Sequence, residues 1–191
     1  MIKYITIESK QSIKSDESII LSVFSEFIKV ESIETGTHHI NLYYNHETDV
    51  LFSEVILNMM SDTLTDLRIY VSHQFDTLDQ LTFHQAYIKR KMSDIPFNKY
   101  VYLDDKIILR HFIKAIDQEM KRMFLRKFEL DHPMIESIKT YLESDQNMSL
   151  AAKKLYVHRN TLIQRIDKFF QVTGFDIRLF NDAFLIYHLL I

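Results

Sequence analysis

Apolar positions in this chain recur with two periods, and the point where one gives way to the other divides it. In the first half, short runs alternating every second residue are interleaved with segments of three-to-four spacing. The pattern predicts strands over 2–7, 66–72 and 100–103, a hairpin over 30–44, and helices over 17–27, 50–60, 78–92 and 106–128. Ile7, Ile19, Ile20, Val23, Phe24 and Phe27 are expected to bury the first strand and helix. Leu67, Ile69 and Val71 alternate as a half-buried strand does. After Leu130 only helical spacing remains, with Pro133 at a helix start and Gly174 where a left-handed C-cap belongs. The expectation is an α+β domain over 1–128 followed by an all-α domain over 129–191.

The stretch 147–170, NMSLAAKKLYVHRNTLIQRIDKFF, has the layout of a helix-turn-helix. Ala151, Ala152 and Leu155 give a short helix a small, then a large, apolar contact. Small residues are needed because the two helices cross steeply. Val157 sits in the turn and a second helix starts near His158. Leu162, Ile166 and Phe169 form one apolar stripe on it, while Asn160, Gln164 and Lys168 repeat every fourth residue on the other side. Lys153, Lys154, Arg159, Arg165 and Lys168 gather here with Asp167 as the one acid, although the net charge of the chain is -3. An ordinary helix pair with a solvated basic face is the plainer reading. The coincidence of paired Ala, short turn, apolar stripe and basic polar face favours double-stranded DNA. Arg159, Asn160, Thr161 and Gln164 are expected at base edges, His158 near the N-cap beside a phosphate, and Lys153, Lys154, Arg165 and Lys168 on phosphates. Tyr156 stands where glycine is common, so the turn is expected to do without positive φ there.

From about 130 to 190 the chain resembles the C-terminal DNA-binding domain of PucR/CdaR-type transcription regulators. The residues that carry the resemblance are Ile138, Tyr141, Leu142, Asn147, Ala151, Ala152 and Leu155, the run Val157 to Leu162 (VHRNTL), Gln164-Arg165-Ile166, and Gly174-Phe175-Asp176. More distantly it is similar to the DNA-binding end of Fis-type bacterial regulators. In the PucR family the preceding domain is a degenerate relative of the GGDEF nucleotide cyclases. Residues 35–125 are similar to that domain in layout, through DLRIYVSHQFDTLDQLTFHQAYIKRKM and KYVYLDDKIILRHFI. The resemblance implies a sequence-specific regulator that binds DNA as a homodimer, with a GGDEF-like first domain for dimerisation and an unidentified small-molecule effector left open. The hairpin 32–38 keeps Glu34 and Gly36 and lacks the other glycines and acids a cyclase needs. No catalysis, cofactor or metal is therefore expected, and Gly36 is expected simply to make the turn.

Composition narrows the alternatives. Absence of cysteine excludes disulfides, thiolate metal sites and cysteine nucleophiles. With two glycines in the whole chain, neither a Walker loop nor a GxGxxG turn can be written. The start MIKYITIESK lacks an apolar signal core and no apolar run approaches a membrane span, so the cytoplasm is expected. His38 and His39, adjacent on a strand, point to opposite faces, and His46, Glu47 and Asp49 add no convergent ligand set. His46-Glu47 opens like a zincin motif that Val50 breaks, and no nucleophile elbow exists. Asp104 and Asp105 suit the first turn of a helix. On the helix expected over 106–128, Leu109, Phe112, Ile113, Ile116, Met120, Met123 and Phe124 form one apolar face, flanked by Lys121, Arg122, Arg126 and Lys127. The helix expected over 183–191 is apolar nearly all round, which predicts burial on two sides. Two other readings remain: a cyclase-like enzyme, and a protein-interaction module whose helix-turn-helix has decayed. Only a DNA reader must lose affinity steeply with salt.

Overall fold

The computed structural model describes residues 2–45, 56 and 67–191, which belong to two compact units, Met1–Asp105 and Lys106–Ile191. The first unit is built on a five-stranded sheet. Its central strand β1, Lys3–Ser9, pairs antiparallel with β3, His39–Tyr44, and with β4, Leu67–Val71. Strand β2, Ser32–Thr35, pairs antiparallel with β3, and β5, Tyr102–Leu103, runs parallel to β4. β1 and β2 therefore run the same way with β3 between them, joined through helix α1, Glu17–Ser25, which makes a split β-α-β unit.

Register explains why the two faces of this sheet differ. Ile5 stands between Val71 and Leu42, and Ile7 between Ile69 and Ile40, so two apolar rows cross three strands on one face. With Ile13, Ile20, Phe24 and Ile28 they form the core, and burial of Ile5 and Ile7 alone contributes roughly 1.5–3 kcal/mol each. One residue on, the rows are Tyr70–Thr6–Asn41–Glu34 and Arg68–Glu8–His39, and that face is polar. Helix α2, Leu78–Ser93, lies over part of it, started by Thr77 accepting from Gln80 N.

Three expectations need correction in and around this unit. Ile19 points to solvent, and the core takes Ile13 and Ile28 instead. β4 is buried on both faces, because Arg68 lies against Glu8 Oε2 at 2.6 Å and donates to Ile95 O, while Tyr70 packs beside Tyr4. Asp105 opens the first turn of the next helix, as its position suggests, and is buried there: it accepts from Tyr70 OH at 2.5 Å and lies 3.2 Å from His84 Nε2. His38 sits before β3, not in it, with Nδ1 against Gln11 O. The helix expected over 50–60 lies outside the described residues except Ile56, which is helical and buried in the core.

The second unit is helical: α3, Asp105–His111; α4, Gln118–Leu125; α5, His132–Leu142; α6, Met148–Lys154; α7, Arg159–Thr173; α8, Phe180–Leu190. The single helix expected over 106–128 is broken. Ile116 is extended and Asp117 caps α4 by accepting from Met120 N, while Arg126, at φ 55°, ends it. The local cap outcompetes continuation of the apolar period. Phe124 meets Phe175 edge-on and Phe128 stacks on Phe169, so this unit reaches upstream of the expected start at 129. The last helix buries Leu185, Ile186 and Leu189 and leaves Phe184 exposed, so burial on two sides does not hold along its whole circumference.

Candidate nucleic-acid interface

Three helices with local stop and start signals build the interface. Asp131 caps α5 by accepting from Met134 N, with Pro133 in the first turn. Asn147 caps α6 by accepting from Leu150 N at 3.1 Å. His158 caps α7, its Nδ1 accepting from Asn160 N at 3.2 Å. That bond requires a neutral ring with the proton on Nε2. Gly174 closes α7 at φ 79°, donating to Phe170 O.

The apolar stripe faces inward as its spacing predicts. Ala151, Ala152, Leu162, Ile166 and Phe169 are all buried, and the two alanines let α6 and α7 approach closely. On the outside, Lys153, Lys154, His158, Arg159, Asn160, Gln164 and Lys168 are exposed, and Thr161 is half-buried. Eight of the nine expected residues are therefore wholly or partly accessible at the end of α6, in the turn and on α7.

Arg165 is the ninth, and it is committed elsewhere. Its Nη1 donates to Ser137 Oγ at 2.7 Å, and Ser137 in turn donates to Pro133 O at 2.6 Å. Arg165 ties α7 to α5 before it can serve a phosphate.

The turn itself corrects an expectation. Tyr156 has φ 54°, so the left-handed conformation that favours glycine is present, carried by a tyrosine that is 97% exposed. Its N–H donates to Lys153 O, and Val157 N donates to Ala152 O. These bonds satisfy the last carbonyls of α6 and fix the turn despite its cost.

Arg178 has a role that sequence reading missed. Its Nη1 lies 2.8 Å from Asp167 Oδ1 and its Nε 2.7 Å from Asp176 Oδ1. It neutralises the one acid on the outer part of α7. Burial alone would raise the Asp176 carboxyl, yet its side-chain and backbone bonds from Arg178 together hold it below its ordinary value. The signal available in sequence was the spacing of Asp176 and Arg178 across a loop start, a pattern typical of Asx turns.

Residues 134–191 match the family model described as the PucR C-terminal helix-turn-helix domain. This part of the chain is a PucR-type helix-turn-helix domain. Relatives of the PucR domain include the uncharacterized protein YxkF of Bacillus subtilis (strain 168), 39% identical over 72 residues, which are 38% of this chain and 23% of that protein. Another is the DNA-binding transcriptional activator AdeR of the same organism, 34% identical over 65 residues, 33% of this chain and 15% of that protein. The chain matches less than a quarter of the length of these relatives. A crystal structure of a regulator of polyketide synthase expression from Bifidobacterium adolescentis aligns with 99% of this chain and 78% of its own, at 17% identity and a TM-score of 0.42.

The other candidates in the sequence do not gather into a site of their own. Among the described residues no three His, Asp or Glu side chains stand where they could share a metal ion, and no helix is long and apolar enough to cross a membrane. His46, Glu47 and Asp49 lie outside the described residues. Gly36 is not at positive φ; a Cβ there would stand 2.4 Å from His39 Cε1, so the glycine admits the imidazole over the turn. Glu34 accepts from Asn41 Nδ2 and Tyr43 OH, both at 3.0 Å, and these bonds hold its carboxyl below the ordinary value.

Proposed function

We propose that this protein is a sequence-specific transcription regulator whose α7 enters the major groove of double-stranded DNA. One observation carries the reading: Arg159, Asn160 and Gln164 are exposed on the first turns of α7, Asn160 and Gln164 on the side away from buried Leu162, Ile166 and Phe169 and Arg159 at the first helical position. An Arg offers bidentate donors to guanine, and Asn or Gln matches adenine. Thr161 completes the base-reading set. Lys153, Lys154, His158 and Lys168 surround it as phosphate contacts, and Arg165 supports the helix from behind.

In this reading the second unit, Lys106–Ile191, contains the DNA-binding domain and the first, Met1–Asp105, is a degenerate GGDEF-like domain. The split β-α-β order and the β2–β3 hairpin with a single glycine support that second assignment. Two half-sites one helical turn apart call for a homodimer, with the first domain joining the copies. The cytoplasm is the compartment this task requires. The test is selection of bound sequences from randomised duplex DNA with the full chain. A recurring motif with paired half-sites supports the reading, and recovery of unselected sequence removes it.

A further inference from the structure

The polar face of the sheet is not fully covered. Between α2 and strands β1, β3 and β2 lies a cavity of about 200 Å³ whose floor includes Thr6, Glu8, Glu34 and Asn41 and whose helical wall includes Gln85 and Lys89. At ~30 Å³ per water this holds about seven waters, or one small molecule of that bulk.

The floor is pre-organised. Thr6 Oγ1 donates to Asn41 Oδ1 at 2.8 Å, and Asn41 Nδ2 donates to Glu34 Oε2. Tyr43 OH bonds the same Glu34 oxygen and also reaches Gln85 Oε1 at 3.2 Å, which links the floor to the wall. Among the described residues every bond to Glu34 falls on Oε2, so Oε1 is left to a guest. Glu8 is already neutralised by buried Arg68. Two formal charges therefore remain to recognise a ligand: Glu34 on the sheet and Lys89 on the helix. Among the described residues neither takes part in an ion pair, although they line the same cavity.

We propose that this cavity is a binding site for a small zwitterion of amino-acid size, its ammonium group on Glu34 Oε1 and its carboxylate on Lys89 Nζ. A molecule with only one of those charges would leave the other end uncompensated. Gln85 Nε2 offers a further donor beside the carboxylate. Gly36 contributes indirectly, by letting the His39 ring lie over the turn at the edge of the cavity. The inference concerns the first unit alone and stands or falls without reference to DNA.

Calorimetric titration of the full chain with the L-amino acids singly, and with propylamine and propionate as one-charge probes, tests it. At least one amino acid should bind saturably and neither one-charge probe should match it. Glu34→Gln keeps an acceptor for Asn41 and Tyr43 yet should weaken binding about tenfold or more. Ala86→Phe, from an exposed wall position, should abolish binding by filling the space. If Glu34→Gln fails to fold, Lys89→Met on the exposed helix side carries the same expectation. The proposal is overturned if no amino acid binds, if a one-charge probe binds as well, or if Ala86→Phe leaves binding intact.

Discussion

Arg165 Nη1 on α7 lies 2.7 Å from Ser137 Oγ on α5, and Ser137 Oγ in turn donates to Pro133 O at 2.6 Å. Helix α7 is thereby held against α5 through a hydroxyl that is fully buried. Ser137→Ala leaves a guanidinium N–H short of a partner, while Pro133 O keeps its helical bond from the backbone N–H of residue 137. It should cost about 1–3 kcal/mol in urea denaturation. In DNA binding, Arg165→Ala should change the salt slope less than Lys168→Ala does, because Arg165 faces inward.

Tyr156 makes a second, opposite prediction. A left-handed φ costs a non-glycine residue about 1–2 kcal/mol, and glycine gives back roughly 0.5–1 kcal/mol through unfolded-state entropy. With its side chain almost wholly in solvent, Tyr156 has little packing to lose. Tyr156→Gly should leave stability unchanged or raise it by up to about 1 kcal/mol, as read from the denaturation midpoint. A loss larger than that would mean the ring contributes contacts the fold does not show.

Much of the PucR domain was legible because its signals are local. Asn147, Pro133 and Gly174 announce helix ends, and Leu162, Ile166 and Phe169 declare the buried side by spacing alone. What was not legible depends on distance in sequence or on a contest between signals. Ser137 and Arg165 are 28 positions apart. At Asp117, a cap competes with an apolar period that runs on past it, and the period gave a helix through 106–128 where the cap prevails. β4 read as half-buried because an arginine at position 68 suggests solvent, and only the partner Glu8, 60 residues away, permits its burial. Tyr156 shows the same limit for backbone conformation, since glycine-free sequence argued against a positive φ that the turn nonetheless adopts.

Arg178 should matter to DNA affinity without touching DNA. It offsets Asp167 on α7, so Arg178→Ala restores a bare carboxylate beside the basic surface. Affinity at low salt should fall by up to about fivefold, an effect that shrinks as salt rises. Arg178→Ala combined with Asp167→Asn should recover most of the loss.

Acid stability of the first unit should carry the mark of Glu34. Bonds from Asn41 and Tyr43 depress its folded-state pKa below the ordinary 4.5. Its contribution is therefore fully present above that value and is lost as pH falls through the folded-state pKa. Denaturation midpoints of wild type and Glu34→Gln should run parallel at neutral pH and converge on acidification. A difference that grows toward acid would contradict the assignment.

A salt titration on the selected duplex tests most directly whether α7 reads DNA. Wild-type affinity should fall linearly in log-log form as salt increases. Arg159→Ala should lose about 1–3 kcal/mol at fixed salt, with the penalty confined to the selected sequence. Affinity independent of salt, or an Arg159→Ala protein that binds the selected duplex as tightly as wild type, would contradict it.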